Sequence, residues 1–419
     1  MEKTTVVIIG AGQAGLAMSS CLTDRSIDHV LLERGVAANS WRTERWDSLR
    51  LLTPNWLSRL PGHRYSGTDP DGYMTANQVV DYLNDYRRSF GAPVRDETTV
   101  TAVESRSTGF LVTTNRGQWD CQAVVVASGA FSNPKVPAIG AELPGDISQL
   151  AAIRYRNPSL IDASGGVLVV GPSASGAQIA DELARNGHDV TLAVGEHVRL
   201  PRTYRGRDIH WWMNAIGQLD ERYDEMDDLV RARRLPSLQL VGSTSKRTLD
   251  LNALSASGVN LIGRLMGIST DKAQFSGSFA NVCAAADLKQ GRLLDLIDEF
   301  AHDHGMDADV GQRDRPAPTA VPTPRTELAL SAFKTVIWAT GFAPAYPWLQ
   351  PHLLDRKGAI VHDGGVMTEP GMYVLGLPFT RRRKSSFLDG VGPDAQDLSS
   401  HLAGHLESAA TGLAQMGGR

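Results

Sequence analysis

Thr4-Thr5-Val6-Val7-Ile8-Ile9-Gly10-Ala11-Gly12-Gln13-Ala14-Gly15 stands at the head of the chain, and its reading decides the fold. A continuous apolar run describes a strand buried on both faces, as in a parallel sheet. Three glycines at G-x-G-x-x-G spacing follow, then a helix-compatible run to about Arg25 and a second apolar strand, His29-Val30-Leu31-Leu32. Such a β-α-β unit aims the unpaired N–H groups of a helix N-terminus at an anion. Gly10 permits the tight turn, Gly12 lets phosphates reach the backbone, and Gly15 lets the helix pack on the strand. Gln13 and Ala14 lie inside the turn. Glu33, ending the second strand, is placed to accept hydrogen bonds from a ribose diol. Together these features predict a dinucleotide site.

The pattern recurs downstream. Gly166-Val167-Leu168-Val169-Val170 leads into Gly171-Pro172-Ser173-Ala174-Ser175-Gly176, a helical run to Asn186, and the strand Asp189 to Val194. Ser173 stands where the middle glycine is usual, and its hydroxyl is a donor for phosphate; Ser175 and Gly176 complete the turn. No carboxylate ends the second strand, which argues against a dedicated contact to the NAD ribose. Arg199, Arg202, Arg205 and Arg207 follow closely. They are candidates to meet a 2′-phosphate through charge-assisted hydrogen bonds, which favours NADPH over NADH. A solvated basic face or a substrate-side wall fits the same residues.

The expected fold is therefore α/β, with two Rossmann-like dinucleotide-binding domains, the second inserted into the first. The expected boundaries are 1–160 and 326–419 for the first domain, and 161–325 for the second with a helical insertion. Residues 314–324 carry four prolines and read as an extended linker. Two more apolar strands end in small residues, at Ala127-Ser128-Gly129 and Ala339-Thr340-Gly341.

Composition excludes several classes. A net charge of −4 and a pI near 6.3 give no reason to expect nucleic acid or an anionic membrane as partner. Three scattered cysteines form no C-x-x-C, so a redox dithiol and a zinc knuckle are not expected. No apolar run is long enough to span a bilayer, the glycine-patterned N-terminus does not read as a signal peptide, and a cytoplasmic location is expected. Histidines do not cluster with carboxylates, so no metal is expected. Arg381-Arg382-Arg383-Lys384 reads either as a docking site for an acidic group or as a solvated loop. His210 beside Trp211-Trp212 reads either as core or as the border of a substrate pocket.

One chain with two such sites resembles the two-dinucleotide-binding-domain flavoproteins, and in its details the class B flavin-containing monooxygenases. The residues that carry the resemblance are Glu33-Arg34, Ser40-Trp41-Arg42, Arg45 to Pro54, Asp69 to Tyr73, Ala127-Ser128-Gly129, Ala339 to Phe342 and Phe387 to Gly392. The resemblance implies that Glu33 holds the adenosine ribose of FAD and that Arg34 beside it belongs to the cofactor site. Trp41, Arg42 and Thr53 would lie along the flavin, Ser128 and Gly129 near the pyrophosphate or the domain link, and Asp389 either in a turn at the flavin end or as a plain turn residue. Thr340 and Gly341 would mark the crossing back to the first domain. The implied activity is an NAD(P)H- and FAD-dependent monooxygenase, in which O₂ adds at the flavin C4a carbon as a (hydro)peroxide that oxygenates a small organic substrate. Heteroatom oxygenation and Baeyer–Villiger insertion both remain open. The alternative is a reductase passing electrons to a partner or quinone without oxygen insertion. The cofactor carries the chemistry, so no catalytic acid, base or nucleophile is assigned. Oligomeric state is open, with a homodimer among the choices. The sequence departs from the family pattern at Ala151, where a histidine is usual, at Leu51-Leu52, where an asparagine is usual, and at Gly195-Glu196, where a basic residue is usual.

Overall fold

The computed structural model describes residues 1–417 and contains two sheets with parallel cores built on the same plan. In the first, strands run in the order His362–Asp363, Val366–Met367, Met372–Val374, Ala123–Val126, Val6–Ile9, His29–Leu32 and Val94–Arg95. The five from Met372 onward pair in parallel. Side chains alternate between two buried faces. Val6, Ile8, Ala123 and Val125 meet the helices Gln13–Asp24 and Leu388–Gly417 through Leu16, Leu22, Val391 and Leu398. Val7, Ile9, Val124 and Val126 meet a four-stranded sheet through Val103, Phe110, Val112 and Trp119. Burial on both sides is why the strand is apolar without interruption.

The second sheet has the order Ser148–Ala151, Phe333–Trp338, Gly166–Val170, Val190–Val194 and Asn260–Gly263, all parallel. Val167 and Val169 face Ala177, Ala180 and Leu183 of the helix Ala174–Arg185. Leu168 and Val170 face Ala273 and Phe275 of a three-stranded antiparallel sheet. Between them lies a separate core of Leu200, Ile209, Trp212 and Leu240 against Leu293 and Ile297 of the helix Phe279–Asp303. Trp212 is fully buried there and donates its indole N–H to the Tyr204 carbonyl.

Two expectations change. Ser148–Ala151 and Phe333–Trp338 fall outside the expected 161–325, yet both pair in the second sheet. We propose crossings at 127–135 and 339–343 instead. There the two chain segments bridge at Pro134 and Phe342, with Lys135 N–H to Gly341 O at 2.9 Å and Ala343 N–H to Asn133 O at 2.9 Å. The proline-rich segment 314–324 is extended but is no domain link. It is strapped to the second fold by Arg199 to Ala317 O, Thr319 N–H to Asp287, and Ala320 N–H to Asn252.

The glycine turns set how closely helix lies on strand. A Cβ on Gly15 would sit 1.9 Å from Gly10 O, and one on Gly176 would sit 1.7 Å from Gly171 O. Backbone must move to admit either. Gly15→Ala and Gly176→Ala should each destabilise by about 1–3 kcal/mol through overpacking, read as a lowered unfolding midpoint in urea. An unchanged midpoint would show that these carbonyls can withdraw freely.

Candidate cofactor site

At the first turn Gly10 adopts φ +108, and a Cβ there would lie 2.6 Å from Ala127 O. Gly12 differs in kind. Its φ is −83, open to any residue, and a Cβ on it would meet no atom within 4 Å. What glycine supplies there is space, directly before the helix N-terminus. The helix Gln13–Asp24 has no side-chain cap, so its first N–H groups are available to an anion. The buried Glu33 carboxylate accepts Ala11 N–H at 2.8 Å and Gly35 N–H at 3.1 Å. Two bonds orient it and leave lone pairs for a diol. The open cradle, the bare helix end and this carboxylate fit the pyrophosphate and ribose of FAD.

Around this turn the expected residues divide. Gln13 donates to Ser386 O at 2.8 Å and accepts from Trp41 Nε1 at 3.3 Å, which draws residues 13, 41 and 386 together. Ala14 is buried, so only its backbone can face a ligand. Arg34 is paired with Glu44, and exposed Arg42 donates to Ala37 O. Thr53 is half-buried beside Leu52. Ser128 is exposed, and Gly129, at φ +78, has open space around it at the end of the strand Ala123–Val126. The Asp389 carboxylate is held by Arg59 at 2.5 Å and Lys384 at 2.6 Å, so its oxygens serve an internal ion cluster, which suits the reading as a turn residue.

The second turn repeats the first. Gly171 has φ +113, and a Cβ there would lie 2.3 Å from Ala339 O. Ser173 takes φ −75, ψ −172, against φ −83, ψ −169 at Gly12. Serine is therefore unstrained at this position, and its hydroxyl makes no cap bond. Ser175 is half-buried in the first turn of the helix. Thr340 donates to Lys135 O and Gly341 takes φ +83, which sets both in the crossing. Ser237 Oγ accepts Ala174 N–H at 3.4 Å, and this turn with the remaining N–H groups of its helix end fits a second dinucleotide.

The arginines behave otherwise. Arg199 is buried and bonded to Asp250, Asp287 and Ala317 O; Arg205 is bonded to Asp298, Asp307 and Gly311 O. Arg202 is fully buried, bonded to Asp208 at 2.5 Å and to Leu52 O at 2.8 Å, and lies over the Tyr73 ring. A guanidinium held by carboxylates away from solvent is not free to take a phosphate. The expectation that Arg199 and Arg202 bind cofactor is thus overturned. Arg207 lies over the Trp211 ring. The run Arg381 to Lys384 is likewise neither a docking site nor a solvated loop, being paired with Asp397, Asp394, Glu221, Asp220 and Asp389.

Sequence reasoning missed the network around Arg202, whose partners are scattered along the chain. Tyr73 OH donates to Asp208 at 2.6 Å, and Arg202 lies 3.0 Å from His210 Nδ1. Burial alone would raise the Asp208 pKa, but the bond to His210 and the Arg202 charge hold it below the usual carboxylate range. Burial lowers that of His210. The network joins the inserted fold to Leu52 and Tyr73 of the first. A cavity of about 320 Å³ lies nearby, lined by Trp46, Arg50, Asp181, Arg247 and Gly242. It borders the second half of the helix Ala174–Arg185, away from its N-terminal turn, and is not the cofactor cradle.

Among the described residues no metal-binding cluster occurs, and no helix is long and apolar enough to cross a membrane. All three thiols are buried, and burial pushes their pKa values up to about 11 for Cys21, 12 for Cys121 and 11 for Cys283. Redox-active thiols need the opposite shift.

Two glycine turns on two parallel sheets define a two-dinucleotide-binding flavoprotein. A family model described as pyridine nucleotide-disulphide oxidoreductase matches residues 7–215. An uncharacterized CzcO-like oxidoreductase of Geobacillus kaustophilus is 32% identical over 404 residues, covering 96% of this chain and 98% of that one. The Arabidopsis thaliana indole-3-pyruvate monooxygenase YUCCA6 is 32% identical over 217 residues, covering 48% of this chain and 51% of that protein. A flavin-containing monooxygenase structure from Stenotrophomonas maltophilia shares the fold at TM-score 0.67 and 22% identity, over 97% of this chain and 100% of that one. The chain belongs to the family of CzcO-like oxidoreductases, and it shares its fold with flavin-containing monooxygenases. It is a flavin-dependent oxidoreductase whose cofactors are FAD and NADPH.

Gly12→Val should leave the chain folded, because neither φ nor packing opposes the side chain, yet abolish the yellow of bound FAD by filling the cradle. Retained FAD absorbance would place the pyrophosphate elsewhere. Arg202→Met strands the buried Asp208 carboxylate and should cost about 3–5 kcal/mol, measured by denaturant unfolding. A loss under about 1 kcal/mol, the range of an exposed pair, would mean that solvent reaches the network.

Proposed function

We propose that the enzyme oxygenates a small organic substrate, with Gly10, Gly12, Gly15 and Glu33 holding FAD and Gly171, Ser173, Ser175 and Gly176 holding NADPH. NADPH supplies two electrons, one atom of O₂ enters the substrate, and the other leaves as water. Bound FAD supplies the electron relay and the centre at which O₂ is activated. The chain's own residues bind, orient and exclude water.

The observation that carries this reading is the apolar wall where the two folds meet. Leu52, Trp56 and Phe387 of the first fold pack into one cluster with Trp211 of the second, and the His210 ring lies 6.3 Å from that of Phe387. Leu52 and Phe387 flank Thr53 and Ser386, which ties this wall to the Gln13 end of the FAD turn. An apolar surface at that point disfavours water near reactive oxygen and favours an apolar or aromatic substrate. Arg202, held on Leu52 O, positions the wall without touching the reaction. The raised thiol pKa values speak against disulfide reduction.

The test is turnover under ¹⁸O₂ with thioethers, amines and ketones. One ¹⁸O per product and one NADPH per O₂ are expected. If every electron pair appears in hydrogen peroxide or in an added quinone, with no labelled product, the reductase reading replaces this one.

A further inference from the structure

The two β-α-β units can be laid on each other by their hydrogen bonds. Gly10 N–H donates to Leu32 O at 2.8 Å, and Gly171 N–H donates to Ala193 O at 3.1 Å. Leu32 therefore corresponds to Ala193, Glu33 to Val194, and Arg34 to Gly195. The position that offers a carboxylate to a ribose diol in the first unit holds a buried valine in the second. Valine cannot accept a hydrogen bond, and a nicotinamide nucleotide with a free diol finds no acceptor there.

The next position is bare. Gly195 has no side chain, and the space is covered from the neighbouring strand: Arg264 Cγ and Cδ lie 3.8 Å from where a Gly195 Cβ would be. Val194 pairs with Gly263, so Gly195 and Arg264 leave the sheet side by side at its carboxyl end. Nucleotides bind across that end in parallel sheets, with the adenosine ribose at the close of the second strand. Arg264 is exposed, and its guanidinium makes no hydrogen bond or ion pair among the described residues, unlike Arg199, Arg202 and Arg205. The nearest carboxylate along the chain, Glu196, is occupied by Lys289 at 2.9 Å.

We infer that Arg264 is the residue that selects NADPH, its guanidinium meeting the 2′-phosphate above the bare face of Gly195. Arginine suits this task because its planar fork pairs two N–H groups with phosphate oxygens. The inference rests on the second fold holding NADPH, but not on what is oxygenated.

The experiment is calorimetric titration of the FAD-loaded protein with NADP⁺ and, separately, NAD⁺. Arg264→Ala should weaken NADP⁺ binding about tenfold or more, the loss expected for one charge-assisted contact, and leave NAD⁺ binding unchanged. The salt dependence of NADP⁺ binding should flatten with it. Arg264→Lys, which keeps the charge and loses the fork, should fall between. Equal losses for both nucleotides would show a structural role, and unchanged NADP⁺ binding would show that the phosphate lies elsewhere; either overturns the assignment. Failure of oxygenation alone would leave these titrations as they are.

Discussion

The closeness of helix to strand at the two glycine turns governs the rest of this molecule. Gly15 and Gly176 each touch the carbonyl of the glycine that opens their turn, at distances no Cβ tolerates. Only at that separation do the first helical N–H groups stand at the carboxyl edge of the sheet rather than above its face. Neither helix spends a side chain on its own cap. Both leave donors for a ligand, although in the second Ser237 Oγ takes Ala174 N–H at 3.4 Å.

A second constraint couples the two folds. Arg202 comes from the inserted unit, yet one of its bonds goes to the backbone of Leu52 in the first, and its plane covers the ring of Tyr73. Asp208 receives the Arg202 guanidinium and the Tyr73 hydroxyl together. A buried charge with this many partners is costly to disturb, so the segment leading to Thr53 is held from both sides. The paired crossings at 133–135 and 341–343 act at the other end of the boundary. Rigid seating of one fold on the other is what a hydride donor and its acceptor require, because transfer depends steeply on their approach.

The basic residues show why local pattern misleads. Arg199, Arg202 and Arg205 follow the second strand at the place where a phosphate is expected, and so read as its ligands. The partners of Arg199 and Arg205, namely Asp250, Asp287, Asp298 and Asp307, arrive from elements up to about a hundred residues away and bury the charges, while Arg202 is taken by Asp208 close by and by Leu52 O across the boundary. The run Arg381 to Lys384 misleads in the same way, tying the loop at Asp220 and Glu221 to the helix that begins at Leu388. Arg264 carried no local signal, since a lone arginine after a short strand resembles any surface residue.

The pair of β-α-β units, the two turns and Glu33 were legible in the residues alone. Apolar runs, glycine spacing and helix periodicity are local properties, and each residue's role there follows from neighbours within one unit. The inserted order of the domains was legible too, but not their edges: Ser148–Ala151 and Phe333–Trp338 become second-sheet strands only through pairing with one another and with Gly166–Val170. The tertiary structure alone decided which charges are buried, that segment 314–324 is a strap, and that Gly195 is roofed by Arg264. Each depends on contacts between residues distant in sequence, and the physical reason is the same throughout. A charge on the chain is defined by its type, but whether it is free to bind is defined by what the fold brings against it.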